Sequence, residues 1–420
     1  MQNAEEESGM REKRRDVRAG AGFGPTRANA VAVLHSSSIS SLAAAPEIRI
    51  PLLHSAFQLL KARRFLATLF CLCSVANAQS ALKKEIRFCA GGDVTLGTNL
   101  DTSWARNRFD GDQRVRALPD PRELVAPLRQ LFSDANLILL NVEGAIGAGP
   151  APRKCDRRSS LCFALRQPPA AAAALRGIND SAIVVGNTAN NHAHDAGDAG
   201  LLETRRRLSQ AGVLITGADT IATPVPLADG DTIGVLGFSP WTIAGITDLD
   251  AVRRHVSRAA ERYGRVIVTM HIGAEGAMAR HTPDKIERFA GENRGNSVAF
   301  ARTAVESGAS LVIGSGPHVL RAVEWNGRSL IAHSLGNLVT YGPFNHSGYN
   351  DHGAVLCATL AGDGSVRDGA LRSTVQRSPG FVQADSTNLG AHDVAELSKQ
   401  DFPSTGAEIS PRGEIKPRPY

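Results

Sequence analysis

The sequence predicts a layered α/β domain, and three observations carry that expectation. Short apolar, β-branched runs recur along the chain: Ile86 to Cys89, Asn136 to Asn141, Ser181 to Val185, Thr232 to Phe238, Arg265 to Met270, Ser310 to Gly314, Ser329 to Ala332 and Ala354 to Leu360. Runs this short and this apolar read as strands buried on both faces. Helix-like segments separate many of them, at Pro121 to Phe132, Gly200 to Ala211, Leu249 to Tyr263 and Ser297 to Ser307. Strand alternating with helix builds sheets covered by helices. The third observation is chemical: side chains able to bind metal or move protons stand just beyond the run ends, where ligands of α/β sheets collect.

Composition and charge set the boundaries. The chain has 420 residues, 42% hydrophobic and 5% aromatic, which suits a large aliphatic core. Of the net charge of +6, about +4 sits in residues 1–78, where ten Lys/Arg meet six Asp/Glu. The remainder lacks a dense basic stripe, so nucleic acid is not an expected partner. Lys61-Ala-Arg-Arg64, the apolar FLATLFCLCSVA and then Val75-Ala-Asn-Ala78 are the three parts of a secretory signal. Residues 61–78 are therefore expected to be removed after Ala78, placing the protein in the periplasm, the cell envelope or outside the cell. Residues 1–60 show no hydrophobic periodicity and are expected to be disordered or to reflect an upstream start site. No repeat or linker divides residues 82–375, which form one expected domain. Residues 376–420 lose the strand pattern and are expected to be a partly disordered extension with a short helix from Ala391 to Gln400.

Cys71 and Cys73 fall in the signal. Cys155 and Cys162 bracket the polar loop CDRRSSLC and are the expected disulfide of an oxidising compartment. Cys89 and Cys357 lie inside strand-like runs and are expected to be small buried hydrophobes.

The residues beyond the run ends form a consistent set: AGGDV with Asp93, NVEG with Glu143, NTANNHAHD with Asn190, Asn191 and His192, HIGAE with His271 and Glu275, SGPH with His318, and HSLGN with His333 and Asn337. Carboxylates, an amide oxygen and neutral imidazoles around one point suit a divalent cation such as Mn²⁺, Fe²⁺, Zn²⁺ or Mg²⁺. No cysteine lies among these loops, which disfavours a thiolate site. Two ions about 3.5–4 Å apart could share a carboxylate and activate water against a phosphoryl group. Adjacent Asn191 and His192 can divide their tasks, one holding metal and the other facing substrate. Asp195 and Gly197 read as a helix cap and turn, and His194 as a solvated loop residue. Arg280 and His281 read as solvated surface, and Gly336 with Asn337 as a tight turn near the site.

In this order and at these separations, GGDVTLG, NVEG, ANNHAHDAG, HIGAE, GPHVL and HSLGN resemble the poly-γ-glutamate capsule biosynthesis proteins of the CapA type, a branch of the calcineurin-like metallophosphoesterase superfamily. The resemblance covers roughly residues 86–360. It implies a four-layer α/β/β/α sandwich with its site at the strand ends. It also implies Asp93, Asn191, His271 and His318 as metal ligands, Glu143 as the bridging ligand and His192 as general acid, with one or two divalent ions. Asn190, Glu275, His333 and Asn337 are expected at substrate or behind the ligands. Two positions depart from the pattern. Gly316 stands where relatives carry the first imidazole of His-Pro-His, and Thr95 where catalytic phosphoesterases place a His. His333, where relatives often have Tyr, is a candidate replacement for the missing imidazole. The implied function is an exported metal-dependent hydrolase handling an anionic surface polymer such as poly-γ-glutamate, within a membrane complex of capsule synthesis. Two alternatives stay open: a non-catalytic polymer-binding or export accessory, and a secreted metallophosphodiesterase with another phosphoester substrate.

Overall fold

A computed structural model describes residues 84–98, 118–148, 163–241, 245–342 and 344–418. The signal-like segment, residues 1–60 and the Cys155–Cys162 loop lie outside the described residues. In chain order the strands are β1 (Ile86–Leu96), β2 (Leu137–Val142), β3 (Ala145–Ile146), β4 (Arg166–Gln167), β5 (Ile183–Asn187), β6 (Leu214–Thr216), β7 (Thr223–Pro226), β8 (Thr232–Phe238), β9 (Val266–His271), β10 (Glu287–Phe289), β11 (Glu292–Gly295), β12 (Leu311–Ser315), β13 (Val323–Asn326), β14 (Ser329–Ala332), β15 (Asn337–Tyr341), β16 (His352–Leu360), β17 (Val366–Arg377), β18 (Phe381–Ala384), β19 (Glu408–Ile409) and β20 (Glu414–Lys416). The α-helices are α1 (Pro121–Val125), α2 (Ala171–Arg176), α3 (Gly197–Gln210), α4 (Leu249–Tyr263), α5 (Ser297–Glu306) and α6 (Leu389–Asp401). Local chemistry sets several ends. Asp248 accepts from Ala251 N–H to start α4, Gly264 ends it with φ 70°, and Asn296 caps Val298 and Ala299 of α5.

The strands form two main sheets. One has ten strands, with the order β19-β20-β17-β16-β1-β2-β5-β6, β15 joining β1 and β18 joining β17. The other has six, in the order β13-β14-β12-β9-β8-β7. Their centres are parallel: β1, β2, β5 and β6 in the first, and β14, β12, β9 and β8 in the second. Period-two side-chain alternation explains why the central runs are apolar throughout. Phe88, Ala90, Leu137 and Leu139 face the second sheet, packing with Val235, Ile267 and Ile313. Cys89, Ile138 and Leu140 face outward under Leu124, Leu128, Leu175 and Leu208. On the far side, Leu236, Val268 and Val312 lie under Val252, Val256 and Phe300 of α4 and α5. Helix, sheet, sheet and helix thus make a four-layer α/β/β/α sandwich.

Two expectations change. Cys89 and Cys357 form a disulfide instead of remaining thiols. They are direct cross-strand partners of antiparallel β1 and β16, 268 residues apart in sequence, and only the sheet register brings them together. Nor is the segment after residue 376 irregular. It supplies β18, α6, β19 and β20, and its apolar residues Ala391, Val394, Ala407 and Ile415 enter the core between the sheets. Its strands are too short, and its buried residues too scattered, to show a periodic run.

A buried polar cluster fastens that segment. His333 Nε2 and Glu324 Oε1 are 2.9 Å apart, the His333 ring stacks on Phe402 at 4.9 Å, and Arg302 and Thr405 reach Glu324 Oε2. Burial alone would raise the Glu324 carboxyl, but His333, Thr405 and Arg302 outweigh it and hold it below the usual range. Burial holds the His333 imidazole below its usual range in spite of Glu324. Both shifts act in one sense. As pH falls below about 6.5 the unfolded state takes up the His333 proton first, and below about 4.3 the Glu324 proton, so the cluster's contribution is full above pH 6.5 and lost with acid. Glu324→Gln should cost about 1–3 kcal/mol in urea unfolding at pH 7, a deficit that shrinks when the measurement is repeated at pH 3.5.

Candidate metal centre

Strand register builds the centre. Asp93 on β1 pairs with Asn141 on β2 and with Asn337 at the start of β15, and Asn141 pairs with Asn187 on β5, so four polar residues line up abreast across the sheet. Asn141 donates to Asp93 Oδ1 at 2.7 Å, and Asn187 donates to Asn141 Oδ1 at 2.9 Å. From the second sheet, β9 ends on His271 and β12 on Ser315, adjacent in register. The Asp93–Glu143–His271 group has ligand atoms within 4.8 Å of one another, all buried.

Glu143 is the hub. Both its oxygens are buried without a hydrogen-bond partner, as is His271 Nε2. Around Glu143 Oε1 stand three imidazole nitrogens: His318 Nε2 at 3.6 Å, His271 Nε2 at 3.8 Å and His192 Nε2 at 4.0 Å. These spacings are too long for hydrogen bonds and suit atoms that share a central cation. Burial, with the Asp93 charge adding to it, pushes the Glu143 carboxyl well above its usual range. Burial would raise Asp93 too, but His318 and His271 outweigh it and hold it low. Burial also drives the His271 pKa down to about 3, leaving a neutral ring able to donate a lone pair. For His318, burial is outweighed by Glu143 and Asp93, and its pKa rises well above the imidazole norm. Two like charges forced together in a dry pocket are the setting that a divalent cation relieves. Asp93, Glu143, His271 and His318 fit one.

The supporting residues set ring orientations. His318 Nδ1 and Asn337 Oδ1 are 2.9 Å apart, and Ser315 Oγ and Asn141 Nδ2 each lie 3.2 Å from His271 Nδ1, leaving each Nε2 facing Glu143. Asn190 sits with its side chain on the Val142 carbonyl and its Oδ1 on the His192 N–H, fixing the turn that carries His192. Asn191 is half-buried in that turn. Thr95 donates to the Glu143 carbonyl at 2.6 Å, so it holds the Glu143 backbone.

Three residues stand differently from the expectation. Asp195 does not cap α3, whose N-cap is Ala196; it is fully buried, 2.6 Å from His192 Nδ1, and accepts from Leu165 N–H. The spacing His-x-x-Asp in a tight turn was the available signal, obscured by the helix that begins two residues later. His333 does not stand with the imidazoles around Glu143: its Nε2 meets Glu324 and its ring stacks on Phe402. Arg280 does not project freely: it stacks on Tyr349 and lies 3.4 Å from Asp393, whereas His281 is exposed as expected and meets Asp401. His194 is exposed and meets only Asp198, as a solvated loop residue should.

Gly316 has a role of its own. Its N–H reaches Asp93 Oδ2 at 3.2 Å, its φ is +107°, and a Cβ there would stand 3.1 Å from His271 Nε2. The backbone comes where a side chain cannot. Gly316→Ala should therefore lose about 1–3 kcal/mol of stability by denaturant titration, a cost that an exposed loop glycine would not show.

Comparison with known proteins places this arrangement. The family model described as "Bacterial capsule synthesis protein PGA_cap" matches residues 87–341. "Capsule biosynthesis protein CapA" of Bacillus anthracis is 24% identical over 185 residues, 39% of this chain and 42% of that protein. "PGA biosynthesis protein CapA" of Bacillus subtilis (strain 168) is 27% identical over 179 residues, 39% and 44% of the two chains. The matched stretch spans less than half the length of either relative. Among solved structures, the 5'-nucleotidase precursor from Thermus thermophilus aligns with a TM-score of 0.37 at 13% identity, covering 76% of this chain and 59% of that one. GAP50, the anchor in the inner membrane complex of Plasmodium, aligns with a TM-score of 0.33 at 8% identity, covering 75% and 95%. The family match runs from β1 through β15 and takes in every residue of the centre, and the chain belongs to the bacterial capsule synthesis protein family.

Proposed function

We propose that this protein is an exported, metal-dependent hydrolase that acts on an anionic surface polymer during capsule synthesis. The observation that carries the reading is the unpartnered Glu143 carboxylate ringed by three imidazoles, beside a His192–Asp195 pair. A bound divalent ion supplies Lewis-acid activation of water and offsets charge on the attacked group. Asp93, Glu143, His271 and His318 would hold it. Asp195 fixes the proton of His192 on Nδ1, so that Nε2, on the side of Glu143, can take a proton and return it to the leaving group. One ion is favoured over two, because Gly316 contributes a backbone N–H where a second ion would need a ligand.

Three things support the setting. The family and both CapA relatives are described by capsule or PGA synthesis, which suggests poly-γ-glutamate as the polymer and a membrane-associated synthesis complex as the partner. The basic-apolar-small pattern of residues 61–78 supports export, and so does the core disulfide, since such bonds persist in oxidising compartments. Among the described residues no helix is long and apolar enough to cross a membrane. Gly316 also favours a second reading, a polymer-binding accessory that keeps one ion and no turnover.

The two readings separate in one assay. Protein beginning at Gln79, supplied with Mn²⁺, is incubated with poly-γ-glutamate and, separately, with bis(p-nitrophenyl) phosphate. The hydrolase reading expects polymer shortening or nitrophenol release that chelation abolishes and that falls about 10²–10⁴-fold in His192→Ala. Metal-loaded protein that turns over neither compound is the accessory.

A further inference from the structure

Beside the centre the fold holds a carboxylate that the mechanism above does not use. Glu275 lies on the loop after β9, and that loop is pinned at several points. Gly273 N–H donates to the Arg294 carbonyl at 2.9 Å and Gly276 N–H to the Pro317 carbonyl at 2.9 Å. Ala274 N–H donates to Glu287 Oε1 at 3.2 Å. Glu287 in turn is gripped through both oxygens, at 2.8 Å each, by the fully buried Arg321 guanidinium, which also donates to the Ala279 carbonyl. Two buried arginines thus serve this loop. The second, Arg294, lies over the Trp241 ring at 4.8 Å and the Phe289 ring at 5.3 Å, and donates to Glu275 Oε1 at 2.6 Å.

What this framework presents is the other oxygen. Glu275 Oε2 lies 3.9 Å from His318 Nε2, beyond hydrogen-bond reach, on a side chain that keeps 17% exposure. It is not needed to orient His318, because Asn337 already meets that ring at Nδ1. A carboxylate held this rigidly, with one oxygen on Arg294 and one turned to the centre where no described residue donates a hydrogen bond to it, is an acceptor prepared for a donor from outside the protein. An anionic group placed there would be repelled.

We infer that Glu275 is a specificity subsite for a substrate ammonium or amide N–H lying next to the attacked bond, with Arg294 as its positioning residue. This rests on the metal-hydrolase reading of the adjacent centre. The substrate class it selects carries a nitrogen donor within a few bonds of the group that meets the metal.

The test uses Mn²⁺-loaded protein and two matched metal-binding probes, β-alanine hydroxamate and propionohydroxamate, which differ only in the ammonium. Affinities are measured by isothermal titration, and metal content is measured for each variant. The wild type should prefer the ammonium probe by about tenfold, as one charge-assisted contact provides. Glu275→Gln should abolish the preference with metal content unchanged, and Arg294→Met should weaken it while leaving propionohydroxamate affinity in place. Glu275→Ala serves as a second variant should Glu275→Gln fold poorly. Equal affinities in the wild type, a preference that survives in Glu275→Gln, or loss of metal from that variant would each overturn the subsite. If metal-loaded protein binds neither probe, the hydrolase reading of the centre fails first, and the subsite fails with it.

Discussion

The architecture depends on one electrostatic fact: the Glu143 carboxylate is fully buried, and neither of its oxygens has a hydrogen-bond partner. An ionised carboxylate in that condition costs several kcal/mol unless something positive compensates. Asp93 deepens the problem by adding a second buried negative charge. The surroundings answer with imidazoles whose Nε2 atoms stand beyond hydrogen-bond reach of Glu143, spaced as ligands of a cation would be. The site makes physical sense as a cation-binding centre and little sense as a hydrogen-bonded one.

The two sheets exist in the form needed to impose this geometry. Parallel strands end together, so register alone sets Asp93, Asn141, Asn187 and Asn337 abreast, and the facing sheet delivers His271 and His318 from its own strand ends. The apolar layer between the sheets, from Phe88 to Ile313, fixes their separation and thereby the distance between the acidic and imidazole halves. The disulfide and the C-terminal cluster around Glu324 secure the sheets away from the ligands. Amides and a hydroxyl orient the ligands, Asn337 for His318 and Ser315 with Asn141 for His271, and a carboxylate, Asp195, orients His192.

Much of this could be read from the sequence, for identifiable reasons. Buried parallel strands leave apolar runs, and residues that follow such runs gather at one edge, so Asp93, Glu143, His192, His271 and His318 could each be named from position alone. What stayed hidden were pairings that only three dimensions create. Cys89 meets Cys357 through sheet register, while the nearer Cys155 and Cys162 looked the more plausible couple. Asp195 resembled a helix cap because α3 starts just beyond it. Arg294, on the short polar strand β11, has nothing in the sequence to mark it as Glu275's partner, and His333 gives no hint of Glu324. The C-terminal strands leave no periodic signal because each buries at most one apolar residue.

The proposed occupant of Glu143 and its ring of imidazoles is a single divalent cation. Metal content after Mn²⁺ loading and desalting, measured by inductively coupled plasma mass spectrometry on the wild type and on Glu143→Gln, tests it most directly. The account predicts about one ion per chain in the wild type and a loss of at least roughly tenfold in affinity for the variant, since a ligand is removed. Two ions per chain, none, or undiminished binding by Glu143→Gln would contradict it.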